Sequence, residues 1–263
     1  MGNKRSQQRV AGRYRAACLL VFTGIGRSAA SDGASAPITT DRPAVTAAST
    51  VVPAGSLQFE NGFAETSSQG VHTLDGSETL VRFGVVSKTE LRLVVPNYFG
   101  QLSGVSGFGD IAIGLKQQLG PALGGFDISL ILSLSMPSGA EAFSSHGYDP
   151  SVQLPWSRAL SAKWTAAGML SVYFPTVGGR RNVTGETMFL FDRQLMKNCD
   201  AFAEYVGDFP EQGRPRHLVH FGAAFKPAPR QQIDFHVGIG LSSAAVDHFI
   251  GIGYSFRLQA LRR

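Results

Sequence analysis

The sequence has little cysteine and lacks any long apolar run. Its two cysteines are Cys18 and Cys199, and Cys18 falls within a predicted leader, so the mature chain keeps one thiol and no intrachain disulfide. No stretch reaches the roughly 18 apolar residues that indicate a transmembrane helix. A membrane protein with this sequence would therefore be a closed β-barrel, because only helices and closed barrels satisfy every backbone polar group within lipid.

Charged residues are also scarce, at 16% of the chain, and their distribution speaks against a nucleic-acid partner. The formal net charge is +5, yet residues 1–30 contain six basic residues and no acidic one. Removing those six from the 24 Lys and Arg residues leaves 18, against 19 Asp and Glu residues. The excess positive charge belongs to the leader, and no nucleic-acid surface is predicted.

Residues 1–30 have the features of a Sec-type signal peptide. A basic segment, 1–15, precedes a short apolar core at 16–22, and small residues at 28–30 offer a cleavage site. We therefore predict that the mature chain is exported from the cytoplasm.

Glycine is abundant, at 31 of 263 residues, and the chain after residue 55 alternates between apolar and polar side chains. In 231–241, apolar residues occupy every second position, and Asp234 and His236 lie between them. This period of two is typical of strands with one apolar face. Twelve strands are predicted, most of them close to the ~9–11 residues of a tilted membrane-crossing strand. They lie at 56–65, 77–86, 90–96, 109–119, 127–136, 151–160, 163–174, 186–195, 200–208, 217–226, 231–241 and 248–257.

The connections between these strands alternate between long and short. Longer gaps such as 66–76 and 97–108 take turns with short ones such as 87–89. Outer-membrane barrels have long outer loops and short periplasmic turns, whereas a soluble barrel has no reason to segregate connection lengths by end.

The predicted fold is all-β: an up-and-down antiparallel transmembrane barrel in the outer membrane of a Gram-negative type of cell. The barrel spans 56–257, and a short tail follows at 258–263. A soluble barrel or sandwich is the alternative, because its strands would alternate in the same way. The face of strand 186–195 stays open, since both of its registers are apolar.

The last strand, 248–257, is predicted to close the barrel by pairing with the first. Gly251, Tyr254 and Phe256 resemble the closing-strand signal that the barrel assembly machinery recognises, so this machinery is a predicted partner. Other aromatic residues are predicted to form girdles against outer-membrane lipid, because their rings are apolar with one wet edge. The outer girdle comprises Tyr98, Phe99, Tyr173, Phe174, Phe209 and Phe249, and the inner one Phe126, Trp156, Trp164, Tyr254 and Phe256.

The polar register is predicted to line the lumen, because Arg or Lys near the lipid midplane costs about 2–4 kcal/mol. Its mixed signs favour a polar channel over one selective for a single sign of charge. The alternative for any one residue is that it only pairs within the barrel interior. The residues of this register are Glu60, Glu78, Arg82, Glu90, Arg92, Asp110, Lys116, Glu186, Asp192, Glu204, Lys226, Asp234, His236 and Arg257.

Residues 31–55 are predicted to form an extended periplasmic lead-in, since three prolines and the lack of a period exclude a strand. A barrel of about twelve strands lies between the side-chain-filled and the water-filled sizes, so its interior could hold one extended segment. In one hypothesis 37–55 folds back into the lumen as a plug, with Asp41 and Arg42 paired to wall charges. The candidate wall partners are Arg82, Arg92, Glu90 and Glu204. The alternative is a periplasmic tether, because terminal segments are usually poorly ordered.

A hydrolase is the catalytic alternative. His220 and His236 should point inward from adjacent strands, about 7–8 Å apart as diagonal neighbours, with Asp234 on the same face. The serines are too numerous to single out a nucleophile, and on the outer surface only His248 is a candidate base. No metal-ligand spacing occurs, and no cofactor is predicted.

Nine short motifs mark the chain from about residue 41 to 257. The first are Asp41-Arg42-Pro43, Leu57-Gln58-x-Glu60, Arg82-Phe83-Gly84, Glu90-Leu91-Arg92, Gly109-Asp110-x-x-x-Gly114-x-Lys116 and Met136-Pro137-x-Gly139. The others are Phe202-x-Glu204-Tyr205, Gln232-x-Asp234 and Gly251-x-Gly253-x-Ser255-Phe256-Arg257. In this order they resemble the outer-membrane transporter family labelled with the MetA (meta-cleavage) pathway of phenol degradation. The resemblance implies an outer-membrane barrel associated with transport, and the label implies aromatic compounds.

Together these features predict a non-enzymatic outer-membrane channel for passive passage of small solutes, including aromatic or other hydrophobic compounds as the resemblance implies. The alternatives are an outer-membrane hydrolase acting on lipid or ester, and a structural barrel whose interior is sealed.

Cysteine labelling tests the predicted orientation. On a Cys199→Ser background, a cysteine at Ser68 or Ser145 should react with a membrane-impermeant thiol reagent on intact cells, because both lie in predicted outer loops. A cysteine at Ser87, in a predicted periplasmic turn, should stay unlabelled. The reverse pattern would exclude this orientation, and equal labelling at all three positions would exclude the membrane location.

Overall fold

The computed structural model describes residues 37–101 and 104–259 of the chain. The predicted signal peptide, the start of the lead-in at 31–36 and the end of the tail at 260–263 lie outside the described residues. Within the described part, no helix is long and apolar enough to span a membrane. Fifteen strands form one continuous antiparallel sheet, and pairing between its last strand and its first closes the sheet into a barrel.

The strands of the described residues are numbered in chain order. They are β1 (Ser56–Ser68), β2 (Val71–Gly76), β3 (Leu80–Val86), β4 (Thr89–Val94), β5 (Tyr98–Gln101), β6 (Ser106–Phe108), β7 (Ile111–Gln118), β8 (Asp127–Met136), β9 (Asp149–Ala159), β10 (Trp164–Tyr173), β11 (Thr176–Val177), β12 (Arg180–Arg181), β13 (Thr184–Met196), β14 (Cys199–Pro210), β15 (Arg216–Ala228), β16 (Gln231–Gly240) and β17 (His248–Gln259).

These strands make twelve crossings of the barrel wall, so the predicted fold and strand number are confirmed. Three crossings are built from two successive segments each, namely β2 with β3, β4 with β5, and β6 with β7. The short pair β11 and β12 is a separate hairpin within one connection. The alternating sequence produces the wall: Ile233 and Phe235 of β16 are about half exposed on the outer face, while Asp234 and His236 are buried.

Closure occurs between β17 and β1, as predicted. Their register runs from Ser56 opposite Gln259 to Ser67 opposite His248. Phe256 lies opposite Phe59, and the two rings stack with centroids 5.1 Å apart. The strand continues to Gln259, two residues beyond the predicted end of the barrel. The end of the barrel that carries Ser56 and Gln259 is called the turn end here, and the opposite end the loop end.

The loop end differs from the prediction. The segment 66–76 is not a loop, because β1 continues to Ser68 and β2 begins at Val71, which leaves only the turn at Gln69 and Gly70. In the same way, β5 and β6 occupy much of the predicted loop 97–108. These segments have a mixed polar sequence without a regular apolar register, so the sequence pattern predicts loops there.

Three aromatic residues of the predicted outer girdle do not face lipid. Phe249 is 7% exposed and packs inside the barrel with its centroid 5.1 Å from that of His220. Phe99 is 4% exposed and stacks on Phe143, and the Tyr173 hydroxyl accepts a hydrogen bond from Gln153 of the inner register. A position at the loop end predicts a lipid contact for these rings. The strand register, however, decides which face of the barrel each ring occupies.

β13 shows which side chains of the predicted strand 186–195 face the inside of the barrel. Met188, Leu190 and Asp192 point inward and are buried, whereas Phe189 and Phe191 are exposed on the outer face. The inner side chains Met188 and Leu190 pack within the lumen, so an apolar inner register accompanies the apolar outer one.

Removing the ring of Phe256 tests its role at the seam. Phe256→Ala should reduce the yield of folded barrel, because it deletes a stacked pair that contributes about 0.5–1.5 kcal/mol beyond its buried area. Heat-modifiable migration on a gel reports the folded fraction. Phe221→Ala, which removes an exposed outer-face ring away from the seam, is the matched control and should assemble better. Equal assembly of the two variants would contradict a special role for the closing strand.

Candidate functional site

The lumen of the barrel contains residues 37–55, which are called the lumen segment here. Ile38 N–H donates to the carbonyl of Pro229 (2.7 Å), Thr46 N–H to Glu204 (2.6 Å) and Val52 N–H to Glu90 (2.8 Å). These acceptors belong to distant parts of a closed sheet, so the segment must lie inside it. Nearly all of its residues from Ile38 to Ser49 are buried.

A charged cluster holds the first part of the lumen segment to β1, β3, β4 and β7. Asp41 Oδ1 lies 2.8 Å from Arg82 Nη1 and 3.7 Å from Lys116 Nζ, and its other carboxylate oxygen contacts Arg92. The wall side of the cluster is completed by Glu60 and Glu90, which lie 3.0 and 2.8 Å from Arg82.

This cluster contains three carboxylates and three cations, and each of the six residues is between 0% and 7% exposed. Such burial is tolerated because every charge has an opposite partner, and Asp41 Oδ1 and Lys116 Nζ are held by ion pairs rather than by hydrogen bonds. Burial alone would raise the pKa of the Asp41 carboxyl, but Arg82, Arg92 and Lys116 together hold this pKa below its ordinary value. Asp41 is therefore a fixed negative charge.

Two wall carboxylates bind the backbone of the lumen segment. Glu60 accepts hydrogen bonds from the backbone N–H groups of Asp41 and Arg42. Glu204 accepts from the N–H groups of Val45 and Thr46, both at 2.6 Å. The segment forms no sheet, so its buried N–H groups need other acceptors, and these carboxylates supply them.

Arg42 is the centre of a second ionic group. Its guanidinium pairs with Glu78, lies 3.4 Å from Asp234 and lies 3.3 Å from the Nε2 atom of His236. His236 Nδ1 is 3.0 Å from His220 Nε2, and His220 Nδ1 is 2.9 Å from Glu204. A continuous hydrogen-bonded chain therefore runs from Arg42 to Glu204.

Glycine makes room for Arg42 in the wall. A Cβ atom at Gly62 or Gly253 would lie 2.1 or 2.4 Å from the guanidinium, which is too close for any side chain. Any larger residue at either position would have to displace Arg42 from its two carboxylates.

The opposite side of the lumen is apolar. Val45, Ala47 and Ala48 of the lumen segment pack against inward-facing apolar side chains there. The wall residues of this cluster are Ile131, Met169, Met188, Val206, Leu218, Val246 and Phe249. The lumen thus has a charged side and an apolar side, and the lumen segment contacts both.

Nine of the fourteen predicted lumen residues lie together around the lumen segment. They are Glu60, Glu78, Arg82, Glu90, Arg92, Lys116, Glu204, Asp234 and His236. Asp41 pairs with both of its candidate partners, Arg82 and Arg92. Arg42 pairs with Glu78 and Asp234 instead of its candidates Glu90 and Glu204.

Asp110, another of the predicted lumen residues, lies at the loop end. Its carboxylate accepts hydrogen bonds from the backbone N–H groups of Ser138, Gly139 and Ser145, so it orders a connection and does not contact the lumen segment. The assembly-signal residues Gly251, Tyr254 and Phe256 lie in β17, where Tyr254 is exposed on the outer face. The apolar side of the lumen was not predicted, although the two-sided apolar sequence of β13 was a signal for it.

The geometry does not favour hydrolysis. His220 and His236 are neighbours, as the strand register predicted, but all four of their ring nitrogens are engaged by Glu204, by Arg42 or by each other. Neither ring is free to accept a proton from a serine hydroxyl. Among the described residues, no group of His, Cys, Asp and Glu is placed to hold a metal ion.

Comparison with known proteins adds a family and a fold. A family model described as "Putative MetA-pathway of phenol degradation" matches residues 40–258. The COG4313 outer membrane channel from Pseudomonas putida F1 is similar, with a TM-score of 0.60 at 11% identity over 80% of this chain and 97% of that one. The NanC porin gives a TM-score of 0.56 at 9% identity over 77% and 100% of the two chains.

The KdgM porin, solved in complex with disordered oligogalacturonate, gives a TM-score of 0.54 at 11% identity over 76% and 98% of the two chains. At these identities the likeness concerns the fold, which is that of outer-membrane channels and porins. No curated protein sequence matches the chain.

Neutralising Asp41 tests the charged cluster. Asp41→Asn leaves three buried cations against two carboxylates, and breaking a buried pair in this way costs about 3–5 kcal/mol. The wall keeps its own backbone hydrogen bonds, so the expected result is a folded barrel from which the lumen segment has detached. Limited proteolysis of the folded protein should then cleave within 37–55.

Asp110→Asn is the matched control, because it removes the same charge from a carboxylate that contacts only the loop end. Its lumen segment should resist cleavage as the wild type does. Equal protection of the lumen segment in the Asp41→Asn protein would contradict the assigned role of the cluster.

Proposed function

The chain belongs to the MetA-pathway family of phenol degradation, and from this premise we propose that it is a passive outer-membrane channel for small solutes. The observation that carries the proposal is that the lumen is occupied by the lumen segment and not by side chains of the wall alone. A barrel of about twelve strands is wider than the eight-stranded barrels that side chains fill. Removal of a segment that is held by non-covalent contacts would leave a lined pore.

The lumen segment is the plug of this channel. Among the described residues, its only covalent link to the wall is at Ser56, and its other contacts are hydrogen bonds, ion pairs and apolar packing. A sealed structural barrel, the alternative function, has no need for lumen charges that are matched to a separate segment. The pairing of Asp41 with Arg82 and Arg92 therefore favours a removable plug over permanent filling.

The two sides of the lumen suggest the class of solute. With the segment removed, one side would present Glu60, Arg82, Glu90, Arg92 and Lys116, and the other would present apolar side chains such as Met169 and Met188. A small amphipathic molecule, such as an aromatic compound with one polar group, could contact both sides at once. The phenol-degradation label of the family agrees with this class.

Export and assembly are part of the same proposal. Residues 1–30 would direct the chain through a Sec-type pathway, and β17 would present Gly251, Tyr254 and Phe256 to the barrel assembly machinery. Exposed apolar side chains on the outer face, such as Phe221 and Phe235, would then contact outer-membrane lipid.

Deleting 37–52 while keeping the leader tests the channel. Single-channel conductance in planar bilayers should rise clearly, because the pore loses its filling, and liposomes should swell faster with small uncharged solutes. A variant in which a Gly/Ser sequence of equal length replaces 37–52 is the control, since it keeps the chain length and removes the specific contacts. It should conduct like the deletion. A folded deletion variant without conductance would exclude the channel.

A further inference from the structure

The hydrogen-bonded chain through the two buried histidines links two points of the lumen segment. It begins at Arg42, passes through His236 and His220, and ends at Glu204, which holds the backbone of Val45 and Thr46. The three successive contacts measure 3.3, 3.0 and 2.9 Å. Both ends of this chain therefore fasten the lumen segment.

The donors and acceptors of the chain have only one consistent assignment. A guanidinium can only donate, so His236 Nε2 must accept from Arg42 and its proton must be on Nδ1. His236 Nδ1–H then donates to His220 Nε2, and His220 Nδ1–H donates to Glu204. Both imidazoles are neutral in this arrangement, and every hydrogen bond points from Arg42 towards Glu204.

We propose that the His220–His236 pair is a proton-binding site that latches the lumen segment when neutral and releases it when protonated. This inference rests on the proposed function, since it describes how the plug of the channel is regulated. It assigns to the two histidines a role that the catalytic alternative did not provide.

An added proton cannot be accommodated without breaking the chain. A proton on His236 Nε2 would face the Arg42 guanidinium, donor against donor and charge against charge. A proton on His220 Nε2 would force His236 Nδ1 to accept, which moves the His236 proton to Nε2 and creates the same conflict. The contact between Arg42 and His236 is therefore lost whichever ring binds the proton.

The charged groups around the histidine pair fix the charge of Arg42. Glu78 and Asp234 pair with the guanidinium, and Glu60 lies near it, so Arg42 keeps its charge and cannot relieve the conflict. Glu204 faces His220 from β14.

Two aromatic rings and one glycine complete the surroundings. The rings of Phe202 and Phe249 pack on His220, and a Cβ atom at Gly251 would lie 2.2 Å from His236 Nε2. The His236 ring is therefore confined by its neighbours and has little room to turn away from Arg42. A small cavity is lined in part by both imidazoles and Arg42.

Single-channel recordings at two pH values test the latch. The wild-type open probability should rise severalfold from neutral to acidic pH, because a proton on either ring breaks the contact between Arg42 and His236. The double variant His220→Gln/His236→Gln keeps one donor and one acceptor at each position but cannot be protonated. It should stay closed at both pH values. The matched control, His72→Gln/His248→Gln, removes two exposed imidazoles and should respond like the wild type.

A wild type whose open probability is the same at both pH values would overturn the latch, and so would a pH response that persists in the double glutamine variant. Backbone amide exchange of Val45 and Thr46 in the wild-type protein gives a second test that needs no variant. After correction for intrinsic rates, their protection should fall at the lower pH, and unchanged protection would overturn the latch as well.

The deletion of 37–52 separates this inference from the proposed function. If the deletion conducts at both pH values while the wild type ignores pH, the latch is wrong and the channel stands. If the folded deletion does not conduct at all, the proposed function fails, and the latch fails with it.

Discussion

The structure depends on one constraint: a charge buried in the barrel must meet an opposite charge. Around β1, β3, β4 and β7 the wall supplies Arg82, Arg92 and Lys116 but only Glu60 and Glu90, so the third carboxylate has to come from elsewhere. Asp41 of the lumen segment supplies it. The positions of the other lumen groups follow from this placement, because Glu60 and Glu204 then hold the backbone on either side of Arg42. Wall and segment are thus two parts of one electrostatic arrangement.

The membrane-crossing part of the fold could be predicted from sequence because lipid imposes a strict rule. Every second side chain of a crossing strand must be apolar, so the inward or outward direction of each side chain in β16 and β17 could be predicted. The rule ends where the lipid ends. Beyond it, β2 and β5 still pair through their backbones, but no apolar register marks them. Phe249 shows a second limit, since an aromatic ring on the inner register looks like an interfacial one until its strand partner is known.

The candidate site was predictable to the same extent and for the same reason. Lipid excludes charge, so residues such as Glu60 and Arg82 had to face inward, and Asp41 was a reasonable counter-ion for them. The carboxylates that bind Arg42 are determined by the backbone path of 37–55. The sequence of this segment has no period from which that path could be predicted. The apolar side of the lumen, including Met169 and Met188, was hidden because inward-facing apolar residues contradict the simple rule. They follow a different requirement, which is to cover the alanines of a segment that is itself buried.

Both ends of the lumen segment leave the barrel through the same mouth. Ile38 is bonded to Pro229 in the turn between β15 and β16, and Gly55 is bonded to Gly84 near the turn between β3 and β4. Residues 37–55 therefore form a loop inside the barrel whose two ends lie at the same mouth. Traction applied at residue 37 from the turn end would break the contacts of the lumen segment in sequence, first that of Ile38 and then the charged cluster around Asp41. Because its contacts break in sequence, a pull on residue 37 needs less force than displacing the whole lumen segment at once.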